Sequence, residues 1–114
     1  DSGQRLNYLH IDDLISAILT FLDKKPKNWK NIYNLGSNEV YSIIDLGKSI
    51  KDLIEENENK KVIMHIKKVK DGYMNNSLSS DRFIIDTGWT SKYKLEDIIE
   101  SEYYYLKTKK EERY

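Results

Sequence analysis

The stretch Arg5-Leu6-Asn7-Tyr8-Leu9-His10-Ile11-Asp12-Asp13-Leu14 decides how the rest of the chain is read. Its first half alternates aromatic and aliphatic residues as a short strand does, and its second half opens an apolar-striped helix behind a pair of carboxylates. The pattern predicts a strand over residues 6–11 feeding a helix over residues 13–22. Leu14, Ile15, Ala17, Ile18, Phe21 and Leu22 then share one broad apolar face. Asp12 reads as the N-cap, with Asp13 set against the positive end of the helix dipole. Capping outweighs a catalytic carboxylate pair here, because adjacent residues at a helix start point in different directions. Free backbone N–H groups beside Arg5 suit a phosphate or another anion.

Moving outward, residues 24–28, a lysine-rich run around Pro26, end this helix in a solvated loop. Asn31-Ile32-Tyr33-Asn34-Leu35 reads as a second strand, turned out by Gly36-Ser37-Asn38. Ser42 and Asp45 then form an acidic capping box for a second helix striped by Ile43, Leu46, Ile50, Leu53 and Ile54. Gly47 lies on that stripe, where a missing side chain allows close approach of a neighbouring strand. Residues 55–61 are a charged connection, and Val62-Ile63-Met64-His65-Ile66 reads as a third strand leading into the basic segment Lys67 to Gly72. His65 reads as a packed or edge histidine. Ser79-Ser80-Asp81 opens a short helical turn stopped by Gly88, and Trp89 packs behind it. The last helix carries Leu95, Ile98, Ile99, Tyr105 and Leu106, and residues 107–113 form a polar, frayed tail. Tyr103-Tyr104-Tyr105 point three ways on a helix, which favours packing over a stacking platform for bases.

Composition narrows the function. The 114 residues make one domain at most, with 19 basic and 19 acidic residues that cancel. No global field therefore steers nucleic acid or an anionic membrane, and neither is expected as a partner. The absence of cysteine removes thiolate catalysis and thiolate metal sites and fits a soluble, cytoplasmic protein. No apolar run approaches the roughly 20 residues of a membrane span. The first residue is not methionine, so the start is expected to be internal to something longer.

Taken in order, Tyr8-Leu-His-Ile-Asp-Asp13-Leu, Ile32-Tyr-Asn-Leu-Gly-Ser37, Ser42-Ile-Ile-Asp45-Leu, Lys68-Val-Lys-Asp71 and Thr87-Gly-Trp89 through Leu95-Glu96 resemble the C-terminal half of the extended short-chain dehydrogenase/reductases. These are the NAD-dependent nucleotide-sugar epimerases and dehydratases. The resemblance runs over nearly all of residues 1–114. It implies an α/β fold, a small mixed strand-helix substrate-binding subdomain without the Rossmann half. In the family, that N-terminal Rossmann half binds NAD or NADP, supplies most homodimer contacts, and holds the catalytic Tyr-x-x-x-Lys pair. No glycine-rich dinucleotide turn occurs in this chain, and a matching spacing, Tyr103 to Lys107, falls in the last helix where the family has packing aromatics. The resemblance therefore implies a chain that does not catalyse alone and that holds the nucleoside diphosphate of a UDP- or dTDP-sugar. Arg5 resembles the diphosphate arginine, displaced by one residue from the usual Arg-Asp-Tyr pattern. Tyr8 resembles the aromatic lining the same site, and Ile43 the aliphatic residue that packs on the base. Lys68 stands for the second phosphate arginine of an Arg-x-Gly-Asp motif, with Asp71 as its aspartate, and supplies charge without the bidentate fork. Ser91 stands where the family has proline, and Lys94 at its usual small polar cap. The alternative reading is a non-catalytic α/β interaction module or a degenerate remnant.

Overall fold

The computed structural model describes residues 5–25, 27–67 and 78–112. In chain order the elements are β1 (Arg5–Asn7), α1 (Ile11–Lys24), β2 (Val40–Ser42), α2 (Ile43–Glu58), α3 (Asp81–Thr87) and α4 (Leu95–Glu112). The fold is thus small, mixed and α/β, as expected. Its strands differ from the sequence reading. β1 ends at Asn7, and its antiparallel partner is Val40–Ser42, with Arg5 opposite Ser42, Leu6 opposite Tyr41 and Asn7 opposite Val40. Residues 31–35 and 62–66 have strand-like sequences but join no ladder among the described residues. A strand is defined by its neighbour, and β propensity cannot supply one.

The start of α1 also differs. His10, not Asp12, is the N-cap: its backbone is extended and its Nδ1 accepts from the Asp12 N–H at 3.0 Å. Asp13 is not a surface dipole partner. It is 1% exposed, and its two carboxylate oxygens accept the backbone N–H groups of Lys92 and Tyr93 at 2.9 and 3.0 Å. Sequence proximity to the helix start suggested capping, but the polypeptide that needed the carboxylate arrives 79 residues later. The His10 ring stacks on Tyr93, centroids 4.2 Å apart, at the same junction.

The core is aromatic. Ala17, Phe83 and Trp89 are buried together, with Leu9, Phe21, Tyr33, Leu35 and Ile84 packed around them. Trp89 satisfies its indole N–H on the Ser16 hydroxyl at 2.9 Å, so the ring is buried without an orphan donor. Gly88 ends α3 at φ 75°, a left-handed position that glycine takes without Cβ strain, and its N–H bonds Ile84 O.

On the other side, α2 packs on α4 and on β2. Its capping box is present as expected, Asp45 N–H to Ser42 Oγ at 3.0 Å and Ser42 N–H to Asp45 Oδ2 at 3.1 Å. A Cβ on Gly47 would lie 3.0 Å from Met64 Sδ, so the close approach expected there occurs, to the 62–66 segment. Asp97 reaches back to the Lys94 N–H at 2.9 Å and supplies the cap that Lys94 cannot. Beyond it α4 continues helically through Glu112, where a frayed tail was expected. The Lys109–Glu112 ion pair at 3.1 Å spans its last turn.

Candidate functional site

Among the described residues, the β1–β2 ladder brings two of the sequence-expected site residues together. Arg5 lies opposite Ser42, and Ser42 is the N-cap of α2, so Arg5 stands beside the first turn of that helix and next to Ile43. Both are exposed, Ile43 by 41%. A guanidinium, the positive end of a 16-residue helix and an apolar side chain therefore share one solvent-facing corner. Asp45 sits in the same corner. The Ser42 N–H and hydroxyl, more than Lys48 and Arg5, hold its carboxyl below the ordinary aspartate range. Such a corner can bind an anion flanked by a flat apolar group; among the described residues it contains no acid–base pair.

Tyr8 occupies different surroundings. With Leu46, Ile50, Leu53, Leu95 and Tyr103 it lines an apolar groove of about 350 Å³ between α2 and α4, which neither Arg5 nor Ile43 lines. Lys68 and Asp71 lie outside the described residues.

The Tyr103–Lys107 pair behaves as a helix surface. Tyr103 OH donates to Glu58 Oε1 at 3.2 Å, and Lys107 Nζ lies 5.9 Å from the ring centroid. Burial and the Glu58 carboxylate push the Tyr103 hydroxyl upward, opposite to what a tyrosine base requires. Among the described residues no cluster of His, Asp and Glu is arranged to hold a metal ion.

Sequence reasoning missed Asn7. Its side-chain amide donates to Ser37 O at 2.6 Å and Glu39 O at 3.1 Å, and its carbonyl accepts the Ser37 N–H at 2.9 Å. The signal was there: asparagine is depleted in strands, and one between Leu6 and Tyr8 needs a reason. Ser80 was read as part of a helix start, but its buried hydroxyl both accepts from Gly36 N–H at 2.8 Å and donates to Gly36 O at 2.9 Å.

Solved structures share this fold. The UDP-glucuronic acid 4-epimerase of Bacillus cereus, solved with UDP-glucuronic acid and NAD, superposes on 95% of the chain with a TM-score of 0.65 at 25% identity. The dTDP-glucose 4,6-dehydratase of Bacillus anthracis, solved with NAD, covers 87% with a TM-score of 0.66 at 22% identity. The UDP-glucose 4-epimerase of Bifidobacterium longum, solved with NAD+ and UDP, covers 84% with a TM-score of 0.63 at 20% identity. The chain has the fold of a part of the extended short-chain dehydrogenase/reductases. It spans about a third of the length of those proteins, 28 to 33%. No family model and no curated protein matches the sequence.

Proposed function

We infer that this chain is the substrate-binding portion of an NAD(P)-dependent nucleotide-sugar epimerase or dehydratase. In this reading it holds the nucleoside diphosphate of a UDP- or dTDP-sugar. Arg5 meets the diphosphate, Ile43 packs on the base, and Lys68 with Asp71 completes the phosphate contacts; Tyr8, in the α2–α4 groove, stands apart from Arg5 and Ile43. NAD or NADP belongs to a Rossmann half outside this chain, which would also carry the catalytic pair; by itself the chain binds but does not turn over. The observation that carries the reading is the ladder register, which sets Arg5 beside Ile43 at the start of α2 in a fold shared with UDP-binding epimerases.

The surface supports a partner of that kind. The chain exposes 9062 Å², against roughly 6500 Å² for a self-contained protein of its mass. Its radius of gyration is 17.5 Å, where about 13 Å is expected for a compact domain of this length. Ile11, Ile15, Ile18, Leu19 and Leu22 stand 48 to 62% exposed along the outer side of α1, and Ile32 72% exposed in the 31–35 segment. An apolar surface of this extent marks an interface. The same surface gives the alternative reading, a non-catalytic interaction module, its footing.

An amide-resolved NMR titration of the chain with UDP, then dTDP, tests the binding claim. Shifts around Arg5 and Ile43 that saturate, with about tenfold weaker binding in R5Q, are expected from loss of a charge-assisted contact. A spectrum that ignores both nucleotides, or R5Q binding as well as the parent chain, would leave the interaction-module reading in its place.

A further inference from the structure

The β1–β2 ladder is too short to set its own register. It has three residue pairs and, among the described residues, no further strand on either side, and an isolated two-stranded ladder is marginal in water. In a hairpin the turn would fix the pairing, but here residues 8–39, including all of α1, lie between the strands. A slip of one residue would set Arg5 opposite Tyr41 or Ile43 instead of Ser42 and turn every β1 side chain to the other face. Something other than the backbone has to select the observed pairing.

Asn7 makes the contacts that do this. Its amide grips Ser37 and Glu39 from both sides of Asn38, immediately before β2 begins at Val40. The two strands are thereby tied by a side chain to one offset: Asn7 pairs with Val40 while its amide holds the residue just before Val40. The grip needs both a donor and an acceptor, which asparagine has and aspartate lacks. It also needs space at Gly36, where a Cβ would collide with Asn7 Oδ1. Ser80 fastens the same loop from the far side through Gly36, anchoring it to the start of α3.

We propose that Asn7 is a positioning residue for nucleotide binding: by locking the 36–39 loop it fixes the β1–β2 register and holds Arg5 beside Ser42 and Ile43. This rests on the reading that Arg5 meets the diphosphate. N7D keeps the size of the side chain but turns its donor into a second acceptor facing the Ser37 and Glu39 carbonyls. N7S, milder, removes the reach.

The test combines cross-strand NOEs with UDP titration of the chain. In the parent chain, NOEs report Leu6 opposite Tyr41. In N7D and N7S these NOEs vanish or move to a neighbouring register, and UDP affinity falls about tenfold, as R5Q alone would lower it. If Asn7 acts through Arg5, adding N7D to R5Q weakens binding by less than twofold more, whereas a merely structural role would cost the full tenfold again. Leu6–Tyr41 NOEs that survive in both Asn7 variants, or full additivity with R5Q, would overturn the proposal. A parent chain that binds no UDP overturns the nucleotide reading instead, and the NOEs then decide whether Asn7 sets the register.

Discussion

Helices α1 and α2 have 14 and 16 residues and both begin beside the ladder, yet they are built for different surroundings. α2 is one-sided: Leu46, Leu53 and Ile54 face the α4 groove while Lys48, Asp52 and Glu56 face water. α1 carries a wide apolar arc, interrupted by a polar stripe of Asp12, Ser16, Thr20 and Asp23. Ala17 and Phe21 pack on the aromatic core, and the opposite side from Ile11 to Leu22 is bare. An apolar arc wider than the core it packs on leaves an exposed apolar flank. The contrast teaches that the apolar stripe of α2 is met by α4 within the chain, whereas the apolar flank of α1 presents a surface suited to a second layer.

The largest effect should come from cutting the tie between the two sides. D13A removes a buried carboxylate and leaves the Lys92 and Tyr93 N–H groups without their acceptor, so denaturant unfolding should show a loss of about 3 kcal/mol or more. An Asp13 variant that unfolds like the parent would mean the 88–94 loop is held by other contacts. Next, L95A empties a fully buried site and should cost about 2–5 kcal/mol in the same assay. Smaller again, S42A breaks the capping box and should cost about 1 kcal/mol, read as a lower unfolding midpoint.

The smallest expected change in stability sharpens the contrast most. Replacing Ile15 and Leu19 by lysine should alter the unfolding free energy by only about 0.5 kcal/mol per site, because these side chains are already in water. The unsubstituted chain should associate through this face in a concentration-dependent way in sedimentation experiments, and the same change should abolish that association. A large destabilisation would show that the outer side of α1 is packed within the chain after all.

Acid tests the ladder corner. The Asp45 carboxyl is held down by the Ser42 N–H and hydroxyl, so the folded form binds its proton less readily than the unfolded form. The resulting stability is present above the ordinary aspartate value of about 4 and is lost as pH falls through the lower folded value. Carboxyl-carbon NMR should give Asp45 a midpoint below that of an unperturbed aspartate, and S42A should raise it. A midpoint unchanged by S42A would leave the shift to the backbone N–H at position 42, which alanine keeps, with Lys48 and Arg5.

The sequence by itself determined the four helices, their order and several of their ends. Local chemistry sufficed there: Ser42 with Asp45 to start a helix, Gly88 to stop one, apolar stripes at helical spacing to fix the faces. It also set Ile43 beside a helix start, since that is a neighbour in the chain. Tertiary structure alone decided which strands exist, what Asp13 holds and why Asn7 lies in a strand. Asp13 reaches residues 92–93, and Asn7 reaches residues 37–39. Helical hydrogen bonds close within four residues and leave a periodic trace in the sequence. Ladders and buried carboxylates close over tens of residues, and their partners are chosen by the packing that brings them together.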